Sequence, residues 1–225
     1  QLGETFNMKM FLAGNSGSQS GGWFRKEINS AADFNGLKFR MPGLGGKVLG
    51  KLGASVQNIP GGELYQALSS GALDALEWVG PFADERAGFQ EVEKVYYTAG
   101  FHEPGSGLTA AVNLDVFNDL TTAQQKIIEY ATMATTHTGL AETLANNGAA
   151  LGRLQQQGVK TMQFPDDVWD AFGAASKEVM DENMDDTLFA DIRSSFESSL
   201  KSSAEWLSKS DAFYVSQRQR VLGQG

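Results

Sequence analysis

The amino-acid sequence predicts an α/β protein arranged in two lobes. Short strand-like pieces alternate with short helical pieces through the first half of the chain, the pattern of a mainly parallel sheet with crossover helices. A helical stretch then runs from Thr121 to about Gln157. A helix of that length would span roughly 55 Å. That exceeds the core of one small lobe, so an unbroken helix should bridge two.

Each element has a local reason. Residues 8–13 (MKMFLA) read as a strand, and 14–22 (GNSGSQSGG) as a loop of small residues. Residues 23–29 read as a short helix. A turn at Asp33–Gly36 leads into a strand at 37–41 (LKFRM), which Pro42 and Gly43 end. Helices at 45–52 and 62–70 flank a strand at 54–59, and another strand follows at 73–79 (LDALEWV). Residues 81–90 read as helical, and 93–99 and 107–113 as strands. Thr121 with Gln124 has the form of a capping box at the start of the long helix. Ile127, Ile128, Ala131, Ala134, Leu140, Leu144, Leu151 and Leu154 keep helical spacing along it, while Gly139, Gly148 and Gly152 offer places for a kink. A strand at 159–164 precedes three helices. The first is capped by Asp166 or Asp167 and carries Trp169, Phe172, Val179 and Met180. The second begins near Asp186 with Leu188, Phe189, Ile192, Phe196, Leu200 and Leu207, and the last covers 211–222.

Composition narrows the function. The chain has 225 residues with 18 basic and 27 acidic side chains, a net charge of −9. No Lys/Arg cluster supplies the basic patch that phosphate contacts need, which argues against nucleic acid. An acidic protein that binds an anion must do so through a local positive site. There is no cysteine, so disulfides, thiol nucleophiles and cysteine zinc sites are excluded. The two histidines, His102 and His137, have no metal-ligand spacing. No apolar run approaches the ~18 residues of a membrane span.

Few motifs carry chemistry. The glycine run from Gly43 follows a strand and opens a helix, but Val48 stands where a dinucleotide fingerprint needs its third glycine. Amides at that helix start could still face an anion. Arg40 ends a strand before Pro42. It is either a surface arginine or a carboxylate clamp, since guanidinium forks onto carboxylate and keeps its charge. Glu77 and Trp78 end an apolar strand, where a carboxylate is costly unless paired, coordinating or in water. Gln19 lies in the small-residue loop and reads, taken alone, as solvated. Phe101 and His102 sit in a turn before Pro104, where His102 is either a ligand contact or an exposed turn residue. No Ser/His/Asp order or HExxH motif appears, and no catalytic residue is assigned.

Three segments together, GNSGSQSGGWFRKEINS, FNGLKFRMPGLGGKVLGKLGA and GGELYQALSSGALDALEWVGP, resemble the extracytoplasmic solute receptors of TRAP transporters, in the branch that binds 2-oxo acids. The resemblance runs along essentially the whole chain. It implies a two-lobed periplasmic solute-binding-protein fold with a long interlobe helix. The receptor would deliver a small monocarboxylic acid to membrane subunits, and lobe closure would be the signal they read. By position Arg40 would pair with the ligand carboxylate, with Gln19, Trp78, Phe101 and His102 around the ligand. Gln19, Glu77 and the Trp78 main-chain carbonyl would surround a cation, sodium in the usual assignment, with calcium as the other candidate. Arg40, Glu77 and a monocarboxylate sum to −1, which one monovalent cation neutralises.

The same resemblance implies a longer receptor, with much of lobe one missing here and Gln1 a truncation point or fragment end. The expected division is residues 1–13 as the end of lobe one and the hinge crossing, 14–105 as the ligand-gripping lobe two, 106–145 as a lobe-one segment with the long connecting helix, and 146–225 as C-terminal helices packing back on the lobes. A homodimer through those helices is a further expectation. The competing classes are a metal-assisted lyase or hydrolase using Glu77 as base, and an interaction protein using the C-terminal helices.

Overall fold

The computed structural model describes residues 2–223, in two compact units that divide between Ser176 and Lys177. The first unit holds two sheets. After a short helix, α1 (Leu2–Thr5), the smaller sheet pairs β1 (Met8–Asn15) antiparallel with β7 (Gly107–Asn113), with a bulge between Leu12 and Gly14. The larger has six strands: β2 (Gly22–Phe24), β3 (Lys38–Arg40), β4 (Ser55–Gln57), β5 (Ala75–Leu76), β6 (Val95–Tyr97) and β8 (Lys160–Met162), in the order β4-β3-β5-β2-β6-β8.

The larger sheet is mixed. β3 runs parallel to β4 and β5, and β6 to β8, but β2 is antiparallel to both its neighbours. This corrects two sequence expectations. The sheet is parallel only on the two sides of β2, and the segment expected as a helix at 23–29 begins instead inside that central strand. Its residues alternate across the sheet, as strand side chains must. Trp23 packs on Tyr96 (ring centroids 4.5 Å) and Phe89, while Phe24 meets Phe34, Phe39, Tyr97 and Phe164. Both are fully buried, and burying each stabilises the fold by roughly 1.5–3 kcal/mol. Gly22 sits at φ 113°, and a Cβ there would meet the Leu76 carbonyl at 2.3 Å, so only glycine lets β2 lie this close to β5.

The crossovers follow their local signals. Pro42 ends β3 and α2 (Gly43–Lys51) begins at once. α3 (Leu64–Ser69) precedes β5, which is shorter than the strand expected at 73–79 because the chain leaves the ladder at Glu77. α4 (Pro81–Ala87) starts with proline at its first turn and stops at Gly88, a left-handed residue. After α5 (Leu114–Asp119), α6 (Thr122–Gln156) runs 35 residues without a break, about 52 Å at 1.5 Å per residue. Thr121 and Gln124 close the capping box that the sequence predicted, and Gly139, Gly148 and Gly152 introduce no interruption. α6 touches both sheets' surroundings. The Thr136 hydroxyl donates to the Leu12 carbonyl, and Asn147 Oδ1 accepts from Phe82 N at the start of α4.

α7 (Asp166–Asp181) carries the chain into the second unit. Asp166 and Asp167 lie inside its first turn rather than capping it, and Asp167 accepts from the Ala31 amide instead. In the second unit α8 (Thr187–Lys209), capped by Asp186, packs with α9 (Asp211–Leu222). Ile192, Phe196, Leu200 and Leu207 on α8 are exposed.

Candidate functional site

Strand ends and one loop crossing build the site. Arg40 is the last residue of β3, and Glu77 follows the last residue of β5, its parallel neighbour. Their side chains therefore leave the same end of the sheet, the usual place for a crevice in an open α/β fold. The loop 16–21 crosses this end. The Ser20 amide donates to the Val79 carbonyl, and the Gln19 backbone bonds the Glu103 carbonyl and the Gly100 amide. So one crossing strand ties Gln19 to both the 77–80 turn and the 100–103 turn.

The side chains converge in consequence. Arg40 is buried and donates through Nη1 to Glu77 Oε1 at 2.6 Å and to the Glu77 carbonyl at 3.0 Å. Its Nε reaches the Ile59 carbonyl at 3.3 Å, and its guanidinium lies 5.6 Å from the Trp78 ring, within cation–π range. The other Glu77 oxygen faces His102 Nε2 at 3.2 Å, which makes Nε2 the protonated nitrogen. His102 Nδ1 is then left buried with no partner, as is Gln19 Oε1. Gln19 Nε2 donates to Ser16 Oγ. A cavity of about 270 Å³ opens beside this cluster, lined by Pro42, Gly43, Leu44, Gly45, Glu77, His102 and Glu103. The start of α2 thus faces the same space.

The structure brings the side chains of Arg40, Glu77, Trp78 and His102 together, and holds Gln19 at the same end of the sheet through its backbone bonds to Glu103 and Gly100. His102 is not an exposed turn residue: its side chain is 5% exposed and held against Glu77. Gln19 is buried rather than solvated. Phe101 stacks on Phe172 with centroids 4.0 Å apart and meets the His102 ring edge-on at 5.6 Å. Trp78 presses on Gly61, where a Cβ would sit 2.5 Å from its ring, so the ring is a fixed wall.

Asp84 is the residue that sequence reasoning missed. It has no exposed surface. Burial pushes its carboxyl up to about 6, against the hydrogen bonds from Val79, Trp23, Gly80 and Tyr96 that favour the charged form. The available signal was its place in the first turn of a helix that opens with Gly-Pro, but an acid there normally reads as solvated.

The oxygen donors suit a hard cation. Gln19 Oε1 is an orphaned buried acceptor, Glu77 supplies a carboxylate, and the Trp78 carbonyl lies on the same turn. Among the described residues no group of three or more His, Cys, Asp or Glu could hold a metal, so a cation here would need amide and main-chain oxygens as well as Glu77.

Comparison with known proteins identifies the family and the fold. A model of the family described as bacterial extracellular solute-binding protein, family 7, matches residues 4–187. A monocarboxylate 2-oxoacid-binding periplasmic protein of Nostoc sp. strain PCC 7120 is 45% identical over 178 residues, 79% of this chain and 49% of that protein. A TRAP periplasmic solute binding protein from Pseudoalteromonas atlantica T6c, solved with sodium and pyruvate, superimposes with a TM-score of 0.90 at 38% identity, over 95% of this chain and 65% of that one. One from Colwellia psychrerythraea, with calcium and pyruvate, gives 0.92 at 39% identity over 96% and 66%. One from Bordetella bronchiseptica RB50, a mixed-occupancy dimer with calcium and picolinate, gives 0.95 at 36% over 99% and 67%. The chain spans about half the length of the curated relative and about two thirds of these solved chains. It belongs to the family 7 bacterial extracellular solute-binding proteins.

Proposed function

We propose that this family member is the receptor part of a TRAP-type transporter that takes up a small monocarboxylic 2-oxo acid together with a cation. One observation carries the reading: Arg40 is buried and already bonded to a carboxylate, that of Glu77, at the edge of a cavity sized for a small acid. The internal carboxylate marks the chemistry that a ligand carboxylate would meet. A 2-oxo acid would take the place of Glu77 on Arg40, and Glu77 would be released toward a cation shared with Gln19 Oε1 and the Trp78 carbonyl. The cation neutralises the net −1 of Arg40, Glu77 and a monocarboxylate. One sodium ion does so, whereas calcium leaves +1, and this charge balance favours sodium. Relatives are described with either ion.

The family supports a binding role and gives the lyase or hydrolase alternative no support. Periplasmic placement, in keeping with the named relative, and delivery to membrane subunits belong to the same proposal. The exposed apolar row on α8 makes pairing between copies through the C-terminal helices part of it too, and light scattering of the intact receptor checks that point. Calorimetric titration with pyruvate and longer 2-oxo acids, in sodium and in a sodium-free buffer, tests the function. Micromolar binding that weakens without sodium supports it, and absence of binding to every acid rejects it.

A further inference from the structure

Asp84 stands behind the candidate site, touching none of the residues expected to meet the acid. Its Oδ1 accepts from the Val79 amide at 3.1 Å and the Gly80 amide at 2.9 Å. Its Oδ2 accepts from Trp23 Nε1 at 3.0 Å, the Tyr96 hydroxyl at 3.1 Å and the Ser20 hydroxyl at 3.5 Å. None of these donors is a cation. A fully buried carboxylate without a counter-charge is costly, and an apolar side chain could fill the space between Trp23 and Tyr96 without that cost.

The donors show what the carboxylate holds. Val79 and Gly80 immediately follow Glu77 and Trp78, and Ser20 immediately follows Gln19. Ser20 and Val79 are themselves bonded, amide to carbonyl, at 3.0 Å. One side chain thus ties together the two backbone segments that carry Gln19, Glu77 and Trp78. The tie to Val79 is more specific still. The Val79 N–H and the Trp78 carbonyl belong to one peptide unit, which is planar and trans, so the two groups point in opposite directions. Fixing that N–H on Asp84 fixes the direction of the Trp78 carbonyl.

We propose that Asp84 is the positioning residue of the cation site, aiming the Trp78 carbonyl and setting its separation from Gln19. The inference rests on the cation-assisted reading above and deepens it, by separating what orients the cation ligands from what grips the acid. Arg40 is held by Glu77 and the Ile59 carbonyl, not by Asp84. An asparagine at this position must turn its NH2 group toward obligate donors, either the two amides or the Trp23 N–H, and one set of bonds is lost.

The experiment measures two affinities in the intact receptor by calorimetry: pyruvate in sodium-free buffer, and sodium or calcium at saturating pyruvate. Asp84→Asn is expected to weaken the cation about 10–100-fold, the range for loss of a partner that orients a ligand, while sodium-free pyruvate affinity changes by less than about threefold. Tyr96→Phe removes one donor without altering charge and guards against a misfolded Asp84→Asn protein. It is expected to weaken the cation by about threefold and leave sodium-free pyruvate binding alone. Cation affinity unchanged in whichever of the two variants folds would overturn the inference, as would equal loss of both affinities. If the wild-type protein binds no acid, the functional reading fails; if it binds acid and cation normally and the variants keep the cation, only the positioning role of Asp84 fails.

Discussion

Glu77 and Asp84 are both buried acids on neighbouring turns, and their surroundings are opposite in kind. Glu77 is held by two charge-capable side chains, Arg40 and His102, and borders a cavity. Asp84 is held by two backbone amides, an indole and two hydroxyls, with no exposed surface. Side-chain partners can swing away and be exchanged for a ligand. Backbone and indole donors cannot move without disturbing the sheet. The contrast separates a carboxylate placed for exchange from one placed to brace, and each can be tested by removing what distinguishes it.

The largest effect falls on the exchangeable region. Arg40→Ala removes the expected clamp and strands Glu77, and calorimetry should show acid affinity falling at least about thirtyfold, in line with the 2–5 kcal/mol cost of truncating one partner of a buried charge pair.

The braced region should answer to pH. Asp84 titrates at about 6 in the folded protein against 3.8 for an ordinary Asp. Its folded-state pKa is raised, so its relative contribution is fully present below pH 3.8 and is lost as pH rises through 6. The loss amounts to roughly 3 kcal/mol at 1.36 kcal/mol per unit. Denaturant midpoints measured from pH 4 to 7.5 should carry this fall, and Asp84→Asn should remove that component of the slope. A slope unchanged in the variant would mean that other groups account for the profile.

Glu77→Gln sharpens the same comparison from the other side. It should abolish the cation's enhancement of acid binding, a loss of about 10–100-fold in cation affinity. Sodium-free acid binding should tighten, because Arg40 is freed from its internal partner. Tightening absent from that titration would show that Glu77 does not compete for Arg40. The smallest effect belongs to Trp78→Phe. The residue's expected ligand is its main-chain carbonyl, so binding should weaken only by the few-fold that a reduced cation–π contact of about 0.5–1 kcal/mol allows.

Much of this site was legible in the sequence because strand ends announce themselves. Pro42 and Gly43 mark the end of β3 at Arg40, and the apolar run before Glu77 marks β5. Family spacing then linked them to Gln19. The long helix was readable from its capping box and from apolar residues recurring over about eight turns, Ile127 to Leu154. What the sequence hid depends on partners distant along the chain. Trp23 and Phe24 looked helical because a three-residue strand is too short to display an alternating pattern, and their place at the sheet centre is fixed by β5 and β6. His102 seemed exposed because its burial comes from Gly45, Gly100 and the Glu77 carboxylate. Asp84 was invisible as a buried residue, since nothing local distinguishes an acid facing five donors from one facing water. Phe101, expected beside the ligand, stacks on Phe172 of α7 while meeting His102 edge-on, and neither contact is visible from the local sequence.

The most direct test of the central claim is calorimetric titration of pyruvate into the intact receptor and its Arg40→Ala variant, each with and without sodium. The proposed clamp requires micromolar, sodium-strengthened binding in the wild type and binding at least about thirtyfold weaker in the variant. Equal affinities in the two proteins would contradict it.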